Sequence, residues 1–362
     1  MGMMITGSHT IKYLNGIKIC RLTDKTVTPI YQGHGMEELK EYSLAQKFKQ
    51  VEKKGTVCEK NCYLDYAEHI LKIFPEYNKF KFHKIVLDAA NGTAGVVYKN
   101  IFDRLNIKAI ELNFNPDGNF PAHDPDPAIF ENMAPLVQSI KDHDAEFGVA
   151  WDGDADRVAF ITKEGETLTG SHIGTMFLPW VAKKYPKSTV VVTPPMTRAF
   201  FEIAGELNIK VKYAKVGNSY VKKVMDETDS PFGAEEADHF MFRESFGTEN
   251  GIIPLLIIIR LLDGGKTFDE LLFEAKKGYF ISGDINFEVH NNDKSLQKIE
   301  SYYQQTAKLI DKLDGLRIEF DDWRFCVRPS SIDPVLRLNV ETKNETKLKA
   351  AIVQIGEIIN GV

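Results

Sequence analysis

The sequence predicts an α/β chain in which two successive α/β units follow a strand-bearing stretch and precede a C-terminal α+β domain. Three observations lead there. In the middle of the chain, short aliphatic runs alternate with stretches of helical spacing, the order made by parallel strands and crossover helices. From about Tyr279 onward that strict alternation stops. The opening residues supply strands too few to organise a core. At 362 residues the chain is also too long for one core and fits two to four domains, each of roughly 100 to 150 residues.

Met3-Met4-Ile5-Thr6 reads as the end of a buried strand that delivers Gly7-Ser8-His9-Thr10. Asn15-Gly16 is a hairpin-like turn, and the strand after it brings Lys18 back beside the first. Glu37 to Lys54 has apolar residues at helical spacing and predicts a helix leading to a linker. The first α/β unit then needs a helix around Tyr63 to Phe74, a strand over Lys84 to Asp88 and a Gly-rich turn from Asn91 to Gly95. A Pro- and Asp-rich loop, Asn115 to Pro127, and a further helix lead to the apolar stretch Phe147 to Ala150. The Gly-rich turn has neither GxGxxG nor GxxxxGK[ST], which leaves nucleotide binding poorly supported.

The second α/β unit follows the strand Val158 to Ile161. Strand Thr189 to Val192, helix Arg198 to Leu207, strand Lys210 to Tyr213 and turn Val216-Gly217-Asn218 repeat the alternation. Gly233 to His239 is a polar turn between apolar strand-like segments. Ile252 to Ile259, interrupted by Pro254, reads as a buried helix far too short to span a bilayer. The last domain takes a strand over Asp284 to Val289, a helix over Leu296 to Leu313, strands over Leu316 to Phe320 and Val335 to Val340, and a helix over Glu345 to Ile359. Its loop Arg328 to Arg337 carries two guanidiniums, a hydroxyl and backbone donors, the equipment for a phosphate.

Composition narrows the class. Hydrophobic content of 43% and charged content of 27% are those of a soluble globular protein. A net charge of −6 gives no general electrostatic reason to bind nucleic acid or anionic lipid, so neither partner is expected. Cys20, Cys58, Cys62 and Cys326 form no CxxC pair and lack a second ligand pair for zinc. Free thiols, and no basic segment followed by a small-residue cleavage site, point to a cytoplasmic protein.

The stretch richest in chemistry is Trp151-Asp152-Gly153-Asp154-Ala155-Asp156-Arg157. Carboxylates at alternate positions face one way on an extended backbone, whereas a helix turns the middle one away. This predicts an extended loop at a strand end, aimed at a cation. Oxygen-only ligands suit a hard divalent ion, and few ligands with open positions favour Mg²⁺ that also touches a phosphate. An EF-hand would need Gly and Glu at its sixth and twelfth positions, which are Arg157 and Lys163 here. On this loop alone, a solvated acidic turn stays open.

Four separated stretches together resemble the α-D-phosphohexomutases, within them the phosphomannomutase/phosphoglucomutase group, over essentially the whole chain. Thr6 to Thr10 is similar to the phosphoserine loop T-A-S-H-N-P, and Asp152 to Arg157 matches the metal loop D-G-D-A-D-R. Gly233 to His239 lies where the sugar loop G-G-E-x-S-G-H would be, and Arg328 to Arg337 matches the phosphate loop R-P-S-N-T-E-P-x-x-R. Phe120-Pro121 with His123 to Pro127 resembles F-P-N-H-x-P-x-P. The resemblance implies four domains around a central cleft, the first three α/β and related. It places a remnant of the first over 1–56, the second over 57–165, the third over 166–272 and the fourth over 273–362. The resemblance further implies that most of the first domain, with its N-terminal basic loop, is absent from this sequence.

The resemblance also implies a reaction: hexose 6-phosphate and hexose 1-phosphate, of mannose or glucose, interconverted through a phosphoserine and a 1,6-bisphosphate. Ser8 would carry the phosphoryl group, with Mg²⁺ held by Asp152, Asp154, Asp156 and Ser8. Lys18 and His9 would stabilise charge or assist proton transfer, Arg157 would add positive charge, and glucose 1,6-bisphosphate would be the activating donor. Gly217, Glu235, Ala237 and His239 would read the sugar, and Arg328, Ser330, Ser331 and Arg337 its non-reacting phosphate. A monomer or dimer is expected. Departures stand beside these matches: Thr10-Ile11 for Asn-Pro, Ala237 for Ser, Asp238 for Gly, Asn218 where His is frequent, and Ser331-Ile332-Asp333 for Asn-Thr-Glu. They support a second expectation, a catalytically impaired member that binds sugar phosphates or a partner.

Overall fold

The computed structural model describes residues 1–22, 27–46, 48–75, 81, 83–105, 107–330 and 334–360. The chain divides into two compact units, Met1–Val158 and Ala159–Val362.

The first unit opens with β1 (Gly2–Thr6), β2 (Gly16–Leu22) and β3 (Val27–Pro29), an antiparallel sheet in that order with Met4 opposite Lys18 and Ile5 opposite Ile17. The expected burial of β1 is not found: Met3 is 67% and Ile5 77% exposed, because among the described residues no element covers that part of the three-stranded sheet. Helix α1 (Met36–Ala45) buries none of its residues and stops at Gln46, which adopts φ +48. The helix expected to run on to Lys54 is therefore shorter. A helical period with no surface to pack against has only weak local terms to extend it.

The remainder of the first unit is α2 (Tyr63–Ile73), β4 (Ile85–Asp88), α3 (Ala94–Val97), α4 (Lys99–Leu105), β5 (Ile110–Leu112), α5 (Phe130–Asp142) and β6 (Phe147–Trp151). Strands β5, β4 and β6 lie side by side and parallel, with Asp88 opposite Ala150. β4 and β6 are buried along their whole length, which is why they read as unbroken apolar runs. Trp151, at the end of β6, meets Tyr98 edge-on at 5.4 Å and fixes where the acidic loop departs.

Strand β7 (Val158–Thr162) carries the chain into the second unit. There α6 (Gly170–Lys184), β8 (Thr189–Val192), α7 (Arg198–Glu206), β9 (Lys210–Tyr213), α8 (Asn218–Thr228), β10 (Phe232–Ala234), β11 (Phe240–Phe242), β12 (Thr248–Glu249), α9 (Ile252–Asp263) and α10 (Phe268–Lys276) follow. The sheet order is β12-β11-β10-β8-β9, with β10, β8 and β9 parallel. Helix α9 is buried nearly all round. Pro254 is tolerated in its first turn, where a backbone N–H has no intrahelical acceptor to lose.

The antiparallel part of the second unit comprises β13 (Phe280–Ile281), β14 (Ile285–Glu288), α11 (Asn292–Tyr303), β15 (Leu309–Asp311), β16 (Leu316–Glu319), β17 (Trp323–Pro329), β18 (Val335–Thr342) and α12 (Glu345–Asn360). The path is β15-β16-β17-β18, with β13 and β14 both on β18. The helix expected over Leu296 to Leu313 ends at Tyr303. Tyr303, Ala307 and Ile310 continue a helical period, but the pairing of Ile310 with Ile318 in the sheet overrides it. Strand β17, whose Trp323, Phe325 and Val327 alternate with Arg324, Cys326 and Arg328, pairs with β18 as a long hairpin.

Candidate active site

In the first unit, β1 ends at Thr6 and its sequel turns sharply, with Ser8 at φ +53. A non-glycine residue there is strained, and such strain persists only where surrounding contacts hold it. The Thr6 hydroxyl supplies one such contact, accepting the Ser8 N–H at 2.8 Å and donating to Asp154 Oδ2 at 2.7 Å. The Ser8 hydroxyl lies 3.1 Å from His9 Nδ1 and 3.4 Å from Asp152 Oδ2.

The acidic loop corrects the expectation of an extended backbone. Residues 153–155 form a turn with Ala155 at φ +61. The carboxylates converge because Asp152 Oδ1 accepts the N–H groups of Asp156 and Arg157, at 3.1 and 3.2 Å, folding the loop around its first aspartate. Ligand oxygens of Asp152, Asp154 and Asp156 lie within 4.8 Å of one another. Gly153 is required by close approach: a Cβ there would lie 2.5 Å from the Ser8 carbonyl oxygen. The seryl and acidic loops thus touch through backbone.

The charges of this cluster are unbalanced. Burial, then the charges of Asp156 and Asp154, hold the Asp152 carboxyl well above its ordinary value. Lys18 Nζ compensates in part, 2.5 Å from Asp156 Oδ2 and 3.1 Å from Asp154 Oδ2. Burial pulls its ammonium down, but the two aspartates outweigh that and raise it. The His9 imidazole is lowered by burial and by the Arg157 charge. Asp154 Oδ1 is buried without a hydrogen-bond partner among the described residues. Three crowded carboxylates, one with an orphaned oxygen, fit a hard divalent cation.

Beneath the acidic loop, Asp88 at the end of β4 accepts from Ala90 N–H at 2.9 Å and Asn113 Nδ2 at 3.0 Å, and sits 3.1 Å from His123 Nε2. His123 Nδ1 is 2.8 Å from the Asp124 carbonyl oxygen. Burial lowers the imidazole, but the Asp88 and Asp124 contacts outweigh it and raise its pKa.

The second unit contains the other expected groups. Glu235, buried, accepts the Gly217 N–H on Oε1 at 2.9 Å. Gly217 has φ +121, open in practice to glycine alone, and starts α8, so Asn218 begins that helix. Asp238 adopts φ +62, which explains how it stands in for glycine, since Asp tolerates this region better than most residues. Ala237 is half-buried beside it. His239 Nδ1 lies 3.5 Å from Glu249 Oε1. Arg328 and Arg337 are directly opposed across the β17–β18 hairpin. Like charges in that arrangement are destabilising unless an anion joins them. Arg328 is 8% exposed, its Nε has no hydrogen-bond partner among the described residues, and its Nη2 reaches Asp284 Oδ2 at 3.3 Å. Ser330 closes the hairpin by donating its N–H to the Val335 carbonyl at 2.9 Å. Ser331 lies outside the described residues.

The first unit therefore gathers Ser8, His9, Lys18, Arg157 and the three aspartates, while the second gathers Gly217, Glu235, Ala237 and His239 around one turn and the two arginines on one hairpin. Sequence reasoning left out Thr6 and the Asp88–His123 pair. Thr6 stood inside the seryl motif, but its double hydrogen bond depends on the turn at Ser8. No local pattern relates Asp88 to His123.

The models of the phosphoglucomutase/phosphomannomutase alpha/beta/alpha domain II, alpha/beta/alpha domain III and C-terminal domain match residues 62–165, 169–279 and 285–357. A phosphomannomutase of Methanocaldococcus jannaschii is 30% identical over 367 residues, covering 99% of this chain and 79% of that protein. Phosphohexose mutases of Xanthomonas campestris are 29% identical over 362 residues, covering 99% of this chain and 80% of theirs. The crystal structure of a phosphoglucomutase/phosphomannomutase family protein from Burkholderia thailandensis superposes with a TM-score of 0.85 at 26% identity, over 99% of this chain and 76% of that one. Three family models that together match most of the chain, and a relative 30% identical over nearly all of it, show that the chain belongs to the phosphoglucomutase/phosphomannomutase family.

Proposed function

We propose that this chain, as a hexose phosphate mutase, carries the transferred phosphoryl group on Ser8. The observation behind this reading is that the Ser8 hydroxyl sits at the edge of three converging aspartates, between His9 and Asp152. The phosphorus–Oγ bond of phosphorylated Ser8 breaks as a bond forms to a substrate hydroxyl oxygen, and that hydroxyl releases its proton. The resulting 1,6-bisphosphate returns its other phosphoryl group to Ser8 Oγ. Phosphoryl transfer is governed by positioning and charge neutralisation. Asp152, Asp154 and Asp156 would hold Mg²⁺, which when bound supplies positive charge against the phosphoryl oxygens. Lys18 holds Asp154 and Asp156 in place, and His9, its imidazole kept neutral, accepts or returns a proton at Nδ1.

Glu235 and His239 read sugar hydroxyls in both orientations, while Arg328, Ser330 and Arg337 hold the phosphate that is not transferred. Two opposed guanidiniums match phosphate geometry and gain from its charge. The alternative of a binding protein without turnover is not favoured by the family membership. The experiment is phosphate incorporation from glucose 1,6-bisphosphate with Mg²⁺, read by mass spectrometry. One phosphate should appear on Ser8 and none on Ser8→Ala. A well-folded chain that stays unphosphorylated, or one labelled at another residue, sinks this reading.

A further inference from the structure

Glu235 and Glu236 are neighbours in one turn yet make different connections. Glu235 holds Gly217, whereas Glu236 is turned inward and 8% exposed. Glu236 Oε2 accepts the Ser171 N–H at 3.1 Å and the Ser171 hydroxyl, and Oε1 accepts from Asn339 Nδ2 at 3.4 Å. The same nitrogen donates to Asp284 Oδ1 at 3.4 Å, and Asp284 Oδ2 accepts from Arg328 Nη2 at 3.3 Å. One buried amide thus spends both hydrogens on two carboxyls that belong to different loops. Asn339 is 4% exposed and lies two residues after Arg337 on β18, so the two share a face of the sheet.

We propose that Glu236, Asn339 and Asp284 are positioning residues that fix the span between the sugar-reading turn and the phosphate-reading arginines, so that the site selects a hexose phosphate by its length. This rests on the proposed roles of Glu235 and Arg328. The chain of bonds runs from Ser171 at the start of α6, through the turn, to the arginine hairpin without a gap. Burial, reinforced by the Asp284 charge and opposed by the Ser171 bond, pushes the Glu236 carboxyl up to about 8. Arg328 Nη2, 3.3 Å from Asp284 Oδ2, ties the far end of the bridge to the arginine hairpin. Buried polar groups joined in this way resist sliding, since any shift strands a donor or acceptor.

A spacing device and a simple support for Arg328 differ in what they do to two ligands. Calorimetric titration at pH 7 with mannose 1-phosphate and with inorganic phosphate separates them, using the full chain, Asn339→Leu and Glu236→Leu. Each variant should bind mannose 1-phosphate roughly tenfold more weakly, because the turn no longer sits at the right distance. Inorganic phosphate, which needs the arginines alone, should change by less than about twofold. Equal weakening of both ligands, or of neither, overturns the inference. Asn339→Ser, smaller and polar, replaces the leucine variant if that one fails to fold. Unaltered protein that binds mannose 1-phosphate no better than inorganic phosphate would overturn the mutase reading on which the inference stands.

Discussion

The acidic loop of the first unit and the arginine hairpin of the second face one electrostatic problem with opposite signs. Each crowds like charges and balances them only in part, the first through Lys18 and the second through Asp284. They are built differently. The acidic loop folds around backbone N–H groups bound to Asp152, so its geometry depends on the carboxylate itself. The arginines are brought together by strand register, so their backbone positions do not depend on the guanidiniums. Removing the Asp152 side-chain oxygen should disturb shape in the first region, whereas a change at either arginine should alter mainly charge in the second.

The largest effect should come from Asp152→Asn. The amide oxygen can keep the two backbone bonds while the charge is lost, so phosphorylation of Ser8 should fall by roughly 10²-fold or more. In metal-free buffer the same variant should melt higher than the parent, because it relieves repulsion among the aspartates. A lower melting temperature would show that the cluster is not frustrated without a cation.

Arg328→Ala tests the hairpin. Loss of a charge-assisted bond costs about 1.5–3 kcal/mol, so KM for hexose phosphate should rise roughly 10- to 100-fold with little change in the far-UV spectrum. Arg328→Lys should restore only part of this, since an ammonium cannot bind two phosphate oxygens side by side. Full rescue by lysine would mean that charge alone matters there.

Stability against pH sharpens the contrast further, because His123 lies beside the first region and Glu236 beside the second. His123 has a folded pKa raised above 6.5, so its contribution is complete below 6.5 and is lost as pH rises through the folded value. Glu236 has a folded value of about 8 against an ordinary 4.5, so the fold favours the proton and stability falls as pH rises from 4.5 to 8. His123→Asn should therefore cost about 1–2 kcal/mol near pH 6 and less at pH 9. Glu236→Gln should gain on the parent across pH 4.5 to 8 and hold that gain above it. Urea unfolding at four pH values reads both, and parallel curves for either variant would discard its assignment.

Much of this was legible in the sequence, for identifiable reasons. β4 and β6 are buried on both faces and appeared as unbroken apolar runs, and the acidic loop lay directly after the second of them. The path of that loop was not legible, because it depends on Ala155 at φ +61, which no preference of alanine suggests. Strand β15 was hidden by a helical period that tertiary pairing overrode. β17 was readable from its alternation, which a reading centred on the phosphate motif passed over. The bridge through Asn339 was beyond reach, since Glu236, Asp284 and Asn339 are separated in sequence and meet only once the sheet register is set.

The Thr6 hydroxyl, shared between the Ser8 N–H and Asp154, has a thermodynamic consequence. Under the proposed roles it joins the residue that is phosphorylated to one that holds the cation, so one rotor adds to the direct link between the two equilibria. Linkage is reciprocal: whatever factor phosphate on Ser8 applies to cation affinity, the cation applies to the phosphorylation equilibrium. Thr6→Val keeps the shape and removes the oxygen, so the fall in that coupling, measured from either side, is the share the hydroxyl carries beyond direct attraction between cation and phosphate.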